Sequence, residues 1–132
     1  MTRYFTIEEA QGSVNWLEGI FNDLSQLLNR LDELNNNIQQ MQNPVISNGA
    51  GDVVAEQIEF MKRELANTLA RINQGIQSIH ERGILAKSIQ HGLVDFPYIL
   101  EGREVYLCWH SGEQEIKSWH EVDTGLVGRQ PL

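Results

Sequence analysis

Leu17, Leu24, Leu31 and Ile38 recur at every seventh position, and Ile20, Leu27, Leu34 and Met41 follow each of them three residues later. Apolar side chains at these intervals share one side of a helix with about 3.6 residues per turn, which predicts a long amphipathic α-helix. Phe21 and Leu28 widen the stripe, so this helix should bury a broad face rather than a narrow coiled-coil seam. Upstream, Thr6 and Glu9 have the spacing of a capping box, and Gly12 with Ser13 then predicts a kink or a short first helix. A second stripe runs through Val54, Ile58, Met61, Leu65, Leu69, Ile72, Ile76 and Ile79 in steps of three or four, from Asp52 as candidate N-cap to Gly83 as the stop.

Between the stripes lies NNNIQQMQNPVISNGAGD, where three asparagines, Pro44, Gly49 and Gly51 oppose helix. Two helices of similar length around such a tip, placed near residues 43–51, make an antiparallel helical hairpin over residues 6–83. The polar tract itself reads as a solvated helix end. Stripes this wide need a third layer, supplied by the rest of the chain or by a second copy, and the expectation is a homodimer.

Beyond Gly83 the period shortens to two, and β-branched and aromatic residues take over. GILAKSIQ, LVDFPYIL, EVYLCWH and EIKSWHEV read as short strands. A tight turn at Glu101–Gly102 sets Phe96 opposite Leu107, Tyr98 opposite Val105 and Val94 opposite Trp109. A second turn centred on Gly112 and Glu113 would set Trp109 opposite Ile116 and Val105 opposite His120. One face then carries Val94, Phe96, Tyr98, Val105, Leu107, Trp109, Ile116 and His120; the other carries Asp95, Tyr106, Cys108, His110, Glu115, Lys117 and Trp119, with Tyr106 and Trp119 as a cross-strand pair. Pro97 belongs at an edge or where the ladder lapses. The fold class expected is α+β, a long antiparallel helical hairpin followed by a small antiparallel β-sheet. All of it forms one domain over residues 1–132, with the sheet and a docked tail in 84–132.

Candidate chemistry is concentrated in CWHSGEQEIKSWHE, residues 108–121. In the register above His110 and His120 point to opposite faces and cannot share an ion. The metal reading that remains uses Cys108 and His110 with Asp95 across the strand and Glu115 nearby, and His120 alone as a ligand or proton-transfer group. Against it, Cys-x-His is no recognised ligand spacing, a free cysteine commonly serves as a small buried hydrophobe, and a lone core histidine is commonly held by one hydrogen bond. The HEVD stretch adds Glu121 and Asp123 as possible cation-binding carboxylates, or as a solvated strand end. The tail TGLVGRQPL is too apolar to be solvated throughout; Arg129 in it should clamp the tail by pairing with Asp95, Glu121 or Asp123, or with His120 line a small-anion or peptide pocket.

Charge and cysteine count narrow the function classes. The net charge is −8, with six basic against eleven acidic residues in 1–83 and four against seven in 84–132, so neither half is basic and no electrostatic binding to nucleic acid or anionic lipid is expected. One cysteine excludes an internal disulfide, no apolar run reaches the ~20 residues of a membrane span, and MTRYFTIEEA carries no secretory pattern; the cytoplasm is the expected compartment. No Gly-rich phosphate loop, HExxH, G-x-S-x-G or paired CxxC occurs, which lowers the expectation of catalysis and of a cofactor, leaving a metal ion as the one candidate.

RYFTIEEA at 3–10, GLVDFP at 92–97, GREVYLCW at 102–109, WHEVDTG at 119–125 and GRQPL at 128–132 resemble the uncharacterised prokaryotic family called domain of unknown function number twenty-two hundred and three. The resemblance covers essentially the whole chain and implies no activity. Its shared motifs match Asp95, Arg103, Trp109, Trp119, His120, Glu121, Asp123, Arg129 and Gln130. The family usually has arginine after the motif tryptophan, where this chain has His110, and the resemblance therefore weighs against a metal role for that histidine. The candidate ligand-binding set is therefore Asp95, Trp119, His120, Glu121, Asp123 and Arg129, with Cys108, His110 and His120 as metal candidates. The expected function is a non-enzymatic interaction or scaffold protein acting through a hairpin dimer and the aromatic-rich sheet, with a metal- or small-ligand-binding module as the alternative.

Overall fold

The computed structural model describes residues 2–43 and 51–132, Leu126 by its backbone alone. It has the α+β architecture expected, a helical hairpin followed by an antiparallel sheet of five strands in sequential order. Helix α1 spans Ile7–Gly12, α2 Val14–Met41 and α3 Gly51–Glu81. Strands β1 Leu85–Ser88, β2 Leu93–Leu100, β3 Arg103–His110, β4 Ser118–Glu121 and β5 Gln130–Pro131 follow, with a 3-10 turn at Gly125–Gly128 before the last. By compactness the chain divides into a first unit, residues 1–23 with 75–132, and a second, residues 24–74.

Local chemistry accounts for the helix ends. Thr6 Oγ1 accepts from the Glu9 N–H while Glu9 Oε1 accepts from the Thr6 N–H, the full capping box. Ser13 closes α1 and Val14 opens α2, so the Gly12–Ser13 pair separates two helices. At the other end Gly83, at φ +86°, donates to the His80 carbonyl and Ile84 donates to that of Ile79, the paired bonds of a Schellman stop. Asp52 lies inside the first turn of α3 rather than at its N-cap, where its charge still complements the helix dipole. Pro44 and Gly49, placed in the hairpin tip, lie outside the described residues.

In the second unit Leu24, Leu34, Ile38 and Ile72 are buried as their stripes require. Leu69 is exposed instead, and Thr68 beside it is buried with its hydroxyl donating to the Glu64 carbonyl. In the first unit the sheet's apolar face is the core: Val94, Phe96, Val105, Leu107 and Trp109 are fully buried. Phe5 meets Phe96 edge-on at 5.1 Å between centroids, and Phe21 of α2 lies against Trp109 at 6.1 Å.

The first hairpin has the register expected, with Phe96 opposite Leu107, Tyr98 opposite Val105 and Val94 opposite Trp109. Glu101 and Gly102 both have positive φ, as a tight two-residue hairpin turn requires. Pro97 sits where β1 has already ended, and the Phe5 N–H donates to its carbonyl at 2.8 Å. The second hairpin corrects the expectation by one residue. Val105 faces Glu121, Tyr106 faces His120 and Leu107 faces Trp119, so Trp119 belongs to the apolar face and His120 to the face of Tyr106 and Cys108. Glu115, Ile116 and Lys117 precede β4 and have no register partner in β3.

The slip has a tertiary cause. Residues 111–117 are held by side chains from distant helices: Gln11 accepts from the Ile116 N–H and donates to the Gln114 carbonyl, while Glu18 accepts from Ser111 Oγ and the Gly112 N–H. Glu113 accepts from the His110 N–H with its carboxylate and from Trp109 Nε1 with its carbonyl. These bonds fix a long loop in place of a two-residue turn.

A buried Asp–Cys–His cluster on the polar face of the sheet

Three adjacent strands each contribute one member of a buried cluster on the face opposite the core. Asp95 in β2 is directly across from Cys108 in β3, and His120 in β4 is across from Tyr106, two residues from Cys108 along the same face. All three are buried, at 2, 1 and 3 % exposure. One ligand-type atom from each, the Asp95 carboxylate oxygen, Cys108 Sγ and a His120 ring nitrogen, lies within 4.8 Å of the other two. Carboxylate, thiol and imidazole seldom leave water together unless partners or an ion compensate them.

The hydrogen bonds define the protonation. His120 Nδ1 lies 2.7 Å from the Glu121 carbonyl oxygen, which can only accept, so Nδ1 carries a proton. Nε2 then faces Asp95 Oδ1 at 2.9 Å, and one further proton must lie between them. Burial raises the Asp95 carboxyl above its ordinary value, opposed by the hydrogen bond and charge of His120 and by the charge of Lys87. Burial likewise pushes the Cys108 thiol up to about 11, with the Arg129 guanidinium pulling the other way. In the metal-free protein Cys108 is thus a neutral thiol at neutral pH. Tyr106 packs its ring edge-on against His120 at 5.5 Å.

The cluster forms one wall of a cavity of about 150 Å³, whose other walls are Lys87, Leu93, Val122 and Gly125. Lys87 occupies an irregularity in the β1–β2 ladder, where Ala86 pairs with Val94 and Ser88 with Leu93, leaving Lys87 without a register partner.

Of the candidates drawn from the sequence, the fold brings Asp95, Cys108 and His120 together. Trp119 lies on the other face, opposite Leu107. His110 shares the cluster's face, but its Nδ1 is 2.9 Å from the Ser111 carbonyl and it stands outside the group. Glu121 pairs with Arg103, and Asp123 is exposed. Arg129 pairs with Glu113 at 2.8 Å rather than with Asp95, Glu121 or Asp123, and its buried Nε has no hydrogen-bond partner among the described residues. The tail it belongs to adds β5 to β4. Lys87, Leu93, Val122 and Gly125 were not singled out by sequence. The signal available for the cluster was Trp119: placing the larger apolar ring inward turns its neighbour His120 toward Asp95.

No curated protein and no solved structure matches the chain. A family model does, over residues 3–132, and the chain belongs to the uncharacterised conserved protein family DUF2203.

Proposed function

We propose that this protein binds one zinc ion through Asp95 Oδ1, Cys108 Sγ and His120 Nε2, with its fourth position open to the adjoining cavity. The observation that carries this reading is that one ligand atom from each of these three buried residues lies within 4.8 Å of the other two. Oxygen, sulfur and nitrogen in one set suit a borderline cation such as zinc and disfavour magnesium or calcium. Tetrahedral zinc with bonds of about 2.0 Å to oxygen and nitrogen holds those two ligands ~3.3 Å apart. The Asp95–His120 pair at 2.9 Å therefore opens by a few tenths of an ångström as the ion replaces the shared proton.

The surroundings support the reading. His120 Nδ1–H donating to a backbone carbonyl is the arrangement that orients ligating histidines and leaves Nε2 for the metal. Arg129 against Cys108 supplies a positive charge to the thiolate that zinc requires. Three protein ligands beside a cavity correspond to an open zinc site rather than a closed structural one. Chelator-treated protein titrated with zinc against a chromophoric chelator should bind one ion per chain and release two protons, one from Cys108 and one from the Asp95–His120 bridge. His120→Ala should abolish the stoichiometric binding; an unchanged titration in that variant counts against the site.

A second reading rests on the other compact unit. Val53 and Phe60 of α3 are 61 and 54 % exposed, and with Met41 and Met61 they line an apolar groove. As a docking surface this groove would serve the scaffold role, with a second copy of the chain as occupant. Light scattering on wild type and Phe60→Glu tests it: a dimer converted to monomer supports the reading, and a monomer in both rejects it.

A further inference from the structure

We infer that the fourth position of the zinc site takes a short aliphatic carboxylate, with the Lys87 ammonium as its counter-charge. This rests on the zinc reading above. Charge comes first: a divalent ion with the Asp95 carboxylate and Cys108 thiolate is neutral, and Arg129 is offset by its ion pair with Glu113. Lys87 is left over. It lines the cavity, its charge is felt at Asp95, and its ammonium lies 5.2 Å from the Tyr106 ring centroid. Among the described residues no carboxylate lies within ion-pair distance of it. Lys87 is solvent-exposed, so it stands at the edge of the cavity as a cation without a carboxylate partner, and it favours an anion at the open position.

Size and wall chemistry choose among monoanions. A cavity of about 150 Å³ admits only a molecule of a few heavy atoms. Beyond the cluster and Lys87, its walls are Leu93, Val122 and Gly125, which offer hydrocarbon and backbone but no side-chain donor. A phosphate would set oxygens against Leu93 and Val122, which offer them no donor. A carboxylate with a short alkyl chain can set one oxygen on the metal, the other toward Lys87, and its carbons on Leu93 and Val122. The unpaired position of Lys87 in the β1–β2 ladder fits this role, since such irregularities re-aim side chains beside binding sites.

Cobalt-loaded protein provides the test, because its visible spectrum reports ligand exchange at the metal directly. Propionate should shift the spectrum saturably, phosphate at equal concentration should not, and Lys87→Met should weaken propionate about tenfold, as loss of a charge-assisted contact does. Lys87→Met keeps all three metal ligands and should still bind cobalt with its thiolate band. Cobalt binding with a thiolate band but no response to propionate would overturn this inference and leave the zinc site standing. Equal responses to propionate and phosphate would overturn the carboxylate assignment. Absence of a thiolate–cobalt band would overturn the zinc site, and this inference with it.

Discussion

The two faces of the sheet in the first unit bury chemically opposite sets of side chains. Val94, Phe96, Val105, Leu107 and Trp109 fill one face, while Asp95, Cys108 and His120 are withdrawn from water on the other. The apolar face needs no further component: hydrocarbon packs on Phe5 and Phe21, and burial itself stabilises it. The polar face holds two groups whose charged forms burial disfavours, Asp95 and Cys108, and stands beside a cavity. Burial of such groups opposes stability unless something compensates it, and a cation compensates a carboxylate and a thiolate together. Under the zinc reading proposed above, the difference separates a face that serves folding from one that serves a ligand.

Substitutions can sharpen that division. The largest loss is expected from Phe96→Ala, about 3–5 kcal/mol in urea unfolding, the same whether or not zinc is present. On the polar face, Asp95→Leu should cost the metal-free protein less, about 1–3 kcal/mol from the His120 donor left unpaired. It should also remove the stabilisation by zinc, which in wild type reaches about 2.7 kcal/mol at a free concentration 100 times the Kd. Equal responses of the two variants to zinc would erase the distinction between the faces.

The pH dependence follows from the same burial. Cys108 titrates in the folded protein near 11, above the 9.0 of a free thiol, so the folded state keeps its proton longer. That stability is present below pH 9.0 and is lost as pH rises to about 11. Asp95 acts in the same direction at lower pH: its raised value makes stability fall as pH climbs from the ordinary carboxylate range through the folded value. Cys108→Ala should flatten the alkaline loss in a series of urea melts, and slow alkylation of the wild-type thiol at pH 8 is expected. The smallest effect concerns the turn that both faces share. Glu101 has φ +51°, and Glu101→Asn should stabilise by about 0.5 kcal/mol without altering zinc affinity.

Legibility in the sequence followed how local each constraint is. The stripes through Leu17, Leu24, Leu34 and Ile38, the Thr6–Glu9 box and the Gly83 stop are set by neighbours within a turn or two, and all were readable. So was the Glu101–Gly102 turn, and with it the placement of Asp95 across from Cys108. The third member of the cluster was not, because the loop at 111–117 is held by Gln11 and Glu18, about a hundred residues away in sequence. One residue of register moved His120 from the core face to the cluster. Arg129 was misassigned for a related reason: its partner Glu113 is in that same loop. Leu69 and Thr68 exchanged inside and outside in α3, a choice that periodic steps of three or four leave open.

X-ray absorption at the zinc edge on stoichiometrically loaded protein tests the central claim most directly, because it reads the donor atoms. We expect one sulfur at about 2.3 Å and nitrogen or oxygen ligands near 2.0 Å, including imidazole scattering, with the sulfur lost in Cys108→Ser. A shell of nitrogen and oxygen alone in the wild-type protein, or bound zinc unaffected by that substitution, would contradict a site built from Asp95, Cys108 and His120.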